Sequence, residues 1–304
     1  MSRECYVEKK FNRQNDLLIQ FMNHLIADYQ KQGYVLTVRQ LYYQLVAQAV
    51  VENTLQSYKR VAGLINDAKL AGLIDWDAIE DRTREFLVNP HWSSGGEIIR
   101  TAANSYGEDM WDNQESRVFV IIEKEALVGV LQRACRKFDV PMLAARGYPS
   151  GTVLRDFAES HLLPAIKNGQ FVRVLHLGDH DPSGIDMTRD LVDRISMFTY
   201  GMVTDSDIDR IALTMDQVDE VKPPENPAKS TDSRFASYRR EYGTSSWELD
   251  ALTPQYLNNL VEMHIESHID PDSWQVKEQR VLTIKQQISA RADEQERYEA
   301  SLES

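Results

Sequence analysis

The sequence predicts an α/β protein: a helical N-terminal unit followed by a parallel, Rossmann-like sheet covered by helices. Two observations carry this prediction. Up to about residue 100, apolar residues recur at helical spacing. From Arg117 onward the rhythm changes to short apolar or β-branched runs separated by helical stretches: VFVII (118–122), PMLAA (141–145), VRVLHL (172–177) and IALT (211–214). Such alternation is the mark of parallel strands joined by helical crossovers. With 304 residues the chain is long enough for two units, each with its own core.

The first helix is expected over Asn15–Gln32, where Leu17, Leu18, Phe21, Met22, Leu25, Ile26 and Tyr29 share one face and Gly33 ends the run. Thr37-Val-Arg-Gln40 fits a capping box and opens a second helix. A third is expected to start at Asn53, with Gln56 three later, and to run to about Ala71 before Gly72. LIDWDAIEDRTRE (73–85) follows as a strand or wing. This is winged-helix order, with a generic small helical bundle as the alternative. Pro90–Gly96 has turn composition and reads as a loop. The expected division is residues 1–100, a connector over 101–116, and 117–304. Helices are expected near 123–138, 151–167 and 183–197 between the strands. Lys222–Ser246 reads as a long loop, and Trp247–Ile269 and Val276–Ser301 as helices.

A hydrophobic share of 42% with 27% charged residues fits a soluble globular chain. No run of 18 apolar residues and no leader over Met1–Lys10 argue against a membrane. Cys5 and Cys135 stand alone, so a reducing, cytoplasmic setting is expected. The net charge of −13 is uneven: residues 1–100 carry 12 basic and 12 acidic side chains, residues 201–304 carry 11 and 21. Global charge therefore does not announce nucleic acid, but it leaves room for a local basic surface in the first third.

The sharpest chemical signal is a set of carboxylates at strand ends. VFVII runs straight into Glu123. VRVLHL runs through Gly178 into Asp179-His180-Asp181-Pro182-Ser183-Gly184. In extended chain Asp179 and Asp181 face one way and His180 the other. Three crowded carboxylates call for a cation, and oxygen-only ligands favour Mg²⁺ or Mn²⁺. Such an ion accepts phosphate oxygens, which points to phosphate-ester chemistry.

VIIEKEAL, ARGYPSG, LGDHDPSGIDM, RIALT and SWELDAL occur in an order and spacing that resembles the Toprim domain of the topoisomerase VI A-type family, to which the meiotic double-strand-break proteins are related. The likeness spans roughly residues 35–265, and the chain also resembles the compact, stand-alone relatives of this subunit carried by bacteria, phages and mobile elements. It implies that Glu123, Asp179 and Asp181 bind magnesium. Arg146-Gly147-Tyr148-Pro149 matches the family's K-G-Y-P with Arg in place of Lys, and Glu248–Leu252 matches its E-I-E-A-L. The resemblance also implies double-stranded DNA as partner and a homodimer in which nucleophile and metal come from different protomers. No G-x-x-x-x-G-K-[ST] phosphate loop is present, so strand passage would need a separate ATPase (B-type) partner chain.

Within TVRQLYYQLV (37–46), Val38, Leu41, Tyr42, Leu45 and Val46 form one apolar stripe, so Tyr42 reads as core. Tyr43 lies about 100° away, off that stripe, with Arg39 one turn back. The family's attacking tyrosine is the second of the pair, with an arginine four residues before it, and its product is a 5′-phosphotyrosyl link. A phenol with an ordinary pKa near 10 must overcome about 4 kcal/mol to act as phenolate at neutral pH. Arg39 is expected to lower that pKa, and Glu123 to serve either the metal or the proton.

Lys59, Arg60 and Lys69 on the third helix are candidate DNA contacts or solvated charges. Arg146 lies near the expected metal site and is expected to meet phosphate; Lys124 directly follows Glu123 and is expected to meet either phosphate or an acid. Two other functions stay open: a hydrolytic Toprim endonuclease using metal-activated water, and a non-catalytic DNA-binding protein.

Overall fold

A computed structural model describes residues 3–80 and 89–302. Helices α1 (Arg13–Lys31), α2 (Val38–Ala47) and α3 (Leu55–Leu70) make the N-terminal unit. Their apolar faces meet around Met22, Leu41, Leu45, Val61 and Ile65. Thr37 forms both halves of a capping box with Gln40, which fixes the start of α2. The third helix is capped by Thr54 rather than Asn53: Thr54 Oγ1 accepts from the Ser57 N–H. Asn53 instead reaches across to the Glu225 carbonyl and Asn226. Two short strands, β1 (Leu36–Thr37) and β2 (Ile79–Glu80), pair in parallel. Residues 81–85 of the expected strand or wing lie outside the described residues.

Gly95 and Gly96, expected in a loop, open helix α4 (Gly95–Ser105), which Ser94 caps. The turn composition misleads because these glycines serve packing. A Cβ on Gly96 would lie 3.1 Å from the Ala292 carbonyl of the C-terminal helix and would collide with Glu296.

The second unit is built on four parallel strands, β3 (Ser116–Ile122), β4 (Met142–Ala144), β5 (Phe171–Leu177) and β6 (Ile208–Ala212), in the order β4-β3-β5-β6. Alternation along β3 explains its unbroken apolar run. Val118, Val120 and Ile122 face one core; Phe119 and Ile121 face the other. Helices α5 (Val128–Lys137), α6 (Gly151–Phe157), α7 (Leu163–Lys167) and α8 (Pro182–Phe198) cover the two faces, with a π turn over Ala158–Leu162. The fourth strand starts earlier than the IALT run, because Ile208 already pairs with Val174.

After α9 (Met215–Val221), the expected long loop is ordered. It holds a hairpin, β7 (Glu225–Pro227) with β8 (Ser245–Trp247), and helix α10 (Phe235–Tyr242). Buried Tyr238 anchors it, its hydroxyl 3.0 Å from both the His180 and the Ser245 carbonyl oxygens. The helix expected from Trp247 begins later: β8 ends there, a 3₁₀ turn covers Leu249–Ala251, and α11 runs over Pro254–Glu266. The chain closes with α12 (Pro271–Leu302), which packs along α4. Among the described residues, no helix is long and apolar enough to cross a membrane.

Candidate functional site

The carboxyl ends of β3 and β5 place Glu123 and Asp179 side by side. Gly178 makes this possible, since a Cβ there would lie 3.0 Å from Glu123 Oε2. The Asp179 N–H donates to that same oxygen at 2.9 Å. Asp181 caps α8: its Oδ1 accepts from the Gly184 N–H at 2.6 Å and from the Ser183 hydroxyl at 2.8 Å. Gly184 has to be glycine, because any Cβ would collide with the Asp179 carbonyl. Between the two acids His180 points away, its Nδ1 2.9 Å from the Tyr238 hydroxyl and its ring against Tyr242 and Trp247.

Backbone pairing of His180 with Trp247 brings the next residues over the acids. The Leu249 N–H donates to Asp179 Oδ1 at 2.8 Å. Lys124 Nζ lies 2.9 Å from the same oxygen and also pairs with Glu248 and Asp250. Lys124 is therefore bound to acids rather than presented to phosphate. Burial opposes its charge, but Asp179, Asp250 and Glu248 together hold its pKa above the ordinary lysine value. Burial, aided by Glu248 and Glu123, lifts the Asp179 carboxyl to about 7 despite Lys124. Burial raises Glu123 as well.

Arg39 ties α2 to this cluster. Its Nη2 is 2.6 Å from Glu248 Oε2, and its Nε is 2.6 Å from Asp250 Oδ2. The Arg39 guanidinium carbon stands 5.8 Å from the centre of the Tyr43 ring. Tyr43 is not away from the core, as its position off the stripe suggested. It is 6% exposed, and Tyr42 is 3% exposed. The turn carrying Ala251 packs on α2, so the second unit covers the flank that the first leaves open. The pKa of Tyr43 is also raised rather than lowered. Burial leads and Glu248 adds to it, outweighing Arg39 and Lys124.

Tyr43, Arg39, Asp179, Asp181 and Lys229 line one cleft of about 350 Å³. Lys229 Nζ is 4.0 Å from Asp181 Oδ2. The other candidates lie elsewhere. Arg146 is exposed, pairs with Glu125 and borders a different cleft with Pro149 and Val153. Its expected place beside the carboxylates is not met because Glu125 turns it away. Lys69 donates to the carbonyls of Trp76 and Ile79 at 3.0 and 3.1 Å, so it braces the turn after α3. Lys59 and Arg60 are exposed and share a separate cleft with Lys9 and Lys10.

The sequence reading missed Arg210. This guanidinium donates to the carbonyls of Leu213, Gly184, Gly178 and Asp179 and to Thr188 Oγ1. It thus fixes the backbone of the whole 178–184 loop from beneath. An arginine followed directly by the apolar run of a strand was the available signal. Glu248 and Asp250 carried a plainer one, a second acid pair at the spacing of Asp179 and Asp181.

The donor set of Glu123, Asp179 and Asp181 is all oxygen, which suits a hard divalent cation. A cation would also offset the neighbouring acid charges that add to burial in lifting the Asp179 carboxyl. As they stand, the three turn toward protein partners. Among the described residues no group of three His, Cys, Asp or Glu side chains is arranged to hold a metal ion. No protein-family model matches this chain, and no curated protein matches it.

Proposed function

We propose that this chain cleaves DNA in the manner of the A-type proteins of topoisomerase VI, with Tyr43 as nucleophile and Glu123, Asp179 and Asp181 as ligands for Mg²⁺ or Mn²⁺. On this reading the helical unit is a winged helix and the sheet unit a Toprim domain; two copies act together, each with nucleophile and carboxylates in one cleft of its own chain rather than split between protomers as the resemblance implies. One observation carries the proposal: the Tyr43 phenol and the carboxylates of Asp179 and Asp181 line a single cleft. They reach it from separate units of the chain.

A phosphodiester in that cleft meets Lys229, which offsets its charge, while Arg39, paired with Glu248 and Asp250, holds those acids beside Tyr43. The Tyr43 oxygen bonds to phosphorus and the bond to the 3′-oxygen breaks. The phenol proton passes to a carboxylate of the cleft, which hands it on to the leaving 3′-oxygen. The divalent ion, when bound, supplies charge stabilisation at the phosphate and the leaving oxygen.

The raised pKa and burial of Tyr43 favour a second reading, hydrolysis by water with the same carboxylates. One experiment separates the two. Supercoiled plasmid is incubated with the protein and Mg²⁺ or Mn²⁺, then run on a gel with and without prior protease digestion. Tyrosine attack gives nicked or linear product that appears only after protease, and Tyr43→Phe abolishes it. Hydrolysis gives protease-independent product that survives Tyr43→Phe. Asp179→Ala ends cleavage in both cases; DNA binding without cleavage in the parent chain would sink both.

A further inference from the structure

We infer, resting on the cleavage reading above, that Arg234 is a positioning residue: it moors the turn over residues 229–234 so that the Lys229 ammonium is held beside Asp181 to take a DNA phosphate.

The cleft supplies the need. Among the described residues that line it, Arg39 and Lys229 are the only cations. Arg39 is engaged by Glu248 and Asp250. Lys229 Nζ stands 4.0 Å from Asp181 Oδ2, at the outer limit of an ion pair, and keeps its donors for a ligand. A four-carbon stem has many rotamers, so the place of its backbone decides what the ammonium can reach.

That backbone is fixed from two sides. Upstream, the Ala228 N–H donates to the Thr244 carbonyl at 2.8 Å, beside the β7–β8 hairpin. Downstream, the Asp232 N–H donates to the Lys229 carbonyl at 3.1 Å. Lys229, Ser230, Thr231 and Ser233 are exposed, so the turn has little apolar packing to hold it. It needs a polar anchor.

Arg234 is that anchor. Its Nε and Nη2 fork onto the two carboxylate oxygens of Asp232 at 2.7 and 2.8 Å. Its Nη1 reaches the other way, to Asp186 Oδ2 at 3.1 Å and to the Tyr148 hydroxyl. The Tyr148 oxygen lies 2.7 Å from Asp186 Oδ2 and 3.1 Å from the Ser183 carbonyl oxygen. Both far partners belong to segments that carry the acids. Tyr148 sits in the R-G-Y-P loop, where the Gly147 N–H donates to the Glu123 carbonyl at 3.2 Å. Ser183 opens α8, and its hydroxyl donates to Asp181. One planar guanidinium thus ties the turn that carries Lys229 to the loops that carry Glu123 and Asp181. Arg234 itself does not line the cleft, and its fork is occupied by Asp232. Its effect on DNA therefore runs through Lys229.

The test is a double-mutant cycle between Arg234 and Lys229, read in binding and in rate. The full chain is titrated with a short duplex, with Ca²⁺ in place of Mg²⁺, by fluorescence anisotropy across a salt series. Lys229→Gln should flatten the log–log salt slope by up to about 0.9, one phosphate contact, and Lys229→Arg should restore it. Arg234→Gln, and the milder Asp232→Asn, should each flatten the slope in the parent chain. Neither should change it in the Lys229→Gln background, because each acts through that lysine. Single-turnover cleavage of plasmid in Mg²⁺ should follow the same pattern. Arg234→Gln is expected to slow the parent about tenfold and Lys229→Gln by less than about twofold. A merely structural Arg234 would lower the urea midpoint and add its loss in full to that of Lys229→Gln. Additive losses, or the parent's salt slope in either Lys229→Gln or Arg234→Gln, overturn the inference. If the coupling appears in binding but the parent chain does not cut in Mg²⁺, the positioning of Lys229 stands and the cleavage reading falls. If the parent cuts and the two losses are additive, the reverse is true. A parent chain that does not bind duplex overturns both.

Discussion

Lys124 Nζ lies 2.9 Å from Asp179 Oδ1, and the two side chains are only 14% and 11% exposed. The same ammonium also meets Glu248 and the fully buried Asp250. One lysine thus holds together acids delivered by β5 and by the turn before α11.

Lys124→Met should therefore destabilise the fold strongly. The substitution keeps most of the apolar volume but leaves buried carboxylates without their shared counter-charge. Breaking a buried pair from one side costs about 3–5 kcal/mol. Urea titration should show a lower midpoint with an unchanged slope, and Lys124→Arg should recover part of the loss. A midpoint equal to the parent's would mean that water or Arg39 already compensates these acids.

Arg210 invites a different test, because its partners are carbonyls. Arg210→Met strands buried acceptors around the 178–184 loop, each worth about 1–3 kcal/mol. A total loss of roughly 3 kcal/mol or more is expected in chemical denaturation. Arg210→Lys should sit between the two, since an ammonium has fewer donors and lacks the planar fork. Cleavage, if present, should fall further than stability in Arg210→Lys, because the loop carries Asp179 and Asp181.

These residues also show what the sequence made legible. β3 and β5 stood out because both their faces are buried, which demands unbroken apolar runs. β6 was shifted because Asp209 and Arg210 interrupt its hydropathy, although Arg210 is buried for its hydrogen bonds. Helix α10, FASYRREY, hid inside a polar stretch because one anchor, Tyr238, holds it. The pairing of strand-end acids was readable from the positions of Glu123, Asp179 and Asp181 alone. The burial of Tyr43 was not, because its cover, Ala251, comes from a distant part of the chain. A helical stripe reports only the core of its own unit.

Acid should act on His176, which is fully buried with its Nδ1 2.9 Å from Thr188 Oγ1. Burial, with help from the nearby Arg210 charge, lowers its pKa to about 3. In the unfolded chain the value returns to about 6.5, so the unfolded state binds the extra proton first. Its contribution to stability is complete above pH 6.5 and is lost as pH falls toward 3. Glu123 and Asp179, whose pKa values are raised, work in the opposite sense: their contribution is complete at low pH and fades as pH rises toward neutral. A difference measurement isolates the histidine. Between about pH 6 and 4.5 the parent should lose stability more steeply than His176→Gln, by up to about 1.4 kcal/mol per pH unit. Parallel curves for the two proteins would mean that His176 is already protonated in the fold.

The last expectation concerns where DNA meets the helical unit. Lys59 and Arg60 are exposed on α3 and share a cleft with Lys9 and Lys10, in the third of the chain that carries no net negative charge. Lys69 lies on the same helix, but its ammonium is bound to two carbonyls. Phosphate contacts release counterions, and each such contact steepens the fall of affinity with salt by about 0.9 in the log–log slope. Lys59→Ala and Arg60→Ala should therefore each flatten that slope by up to about 0.9 for duplex DNA. They should weaken binding across sequences alike, because phosphate contacts carry no base readout. Lys69→Met should instead lower stability through the turn it braces and leave the salt slope unchanged. Fluorescence anisotropy across a salt series would measure all three, and an unaltered slope in both Lys59→Ala and Arg60→Ala would move the DNA footprint off α3.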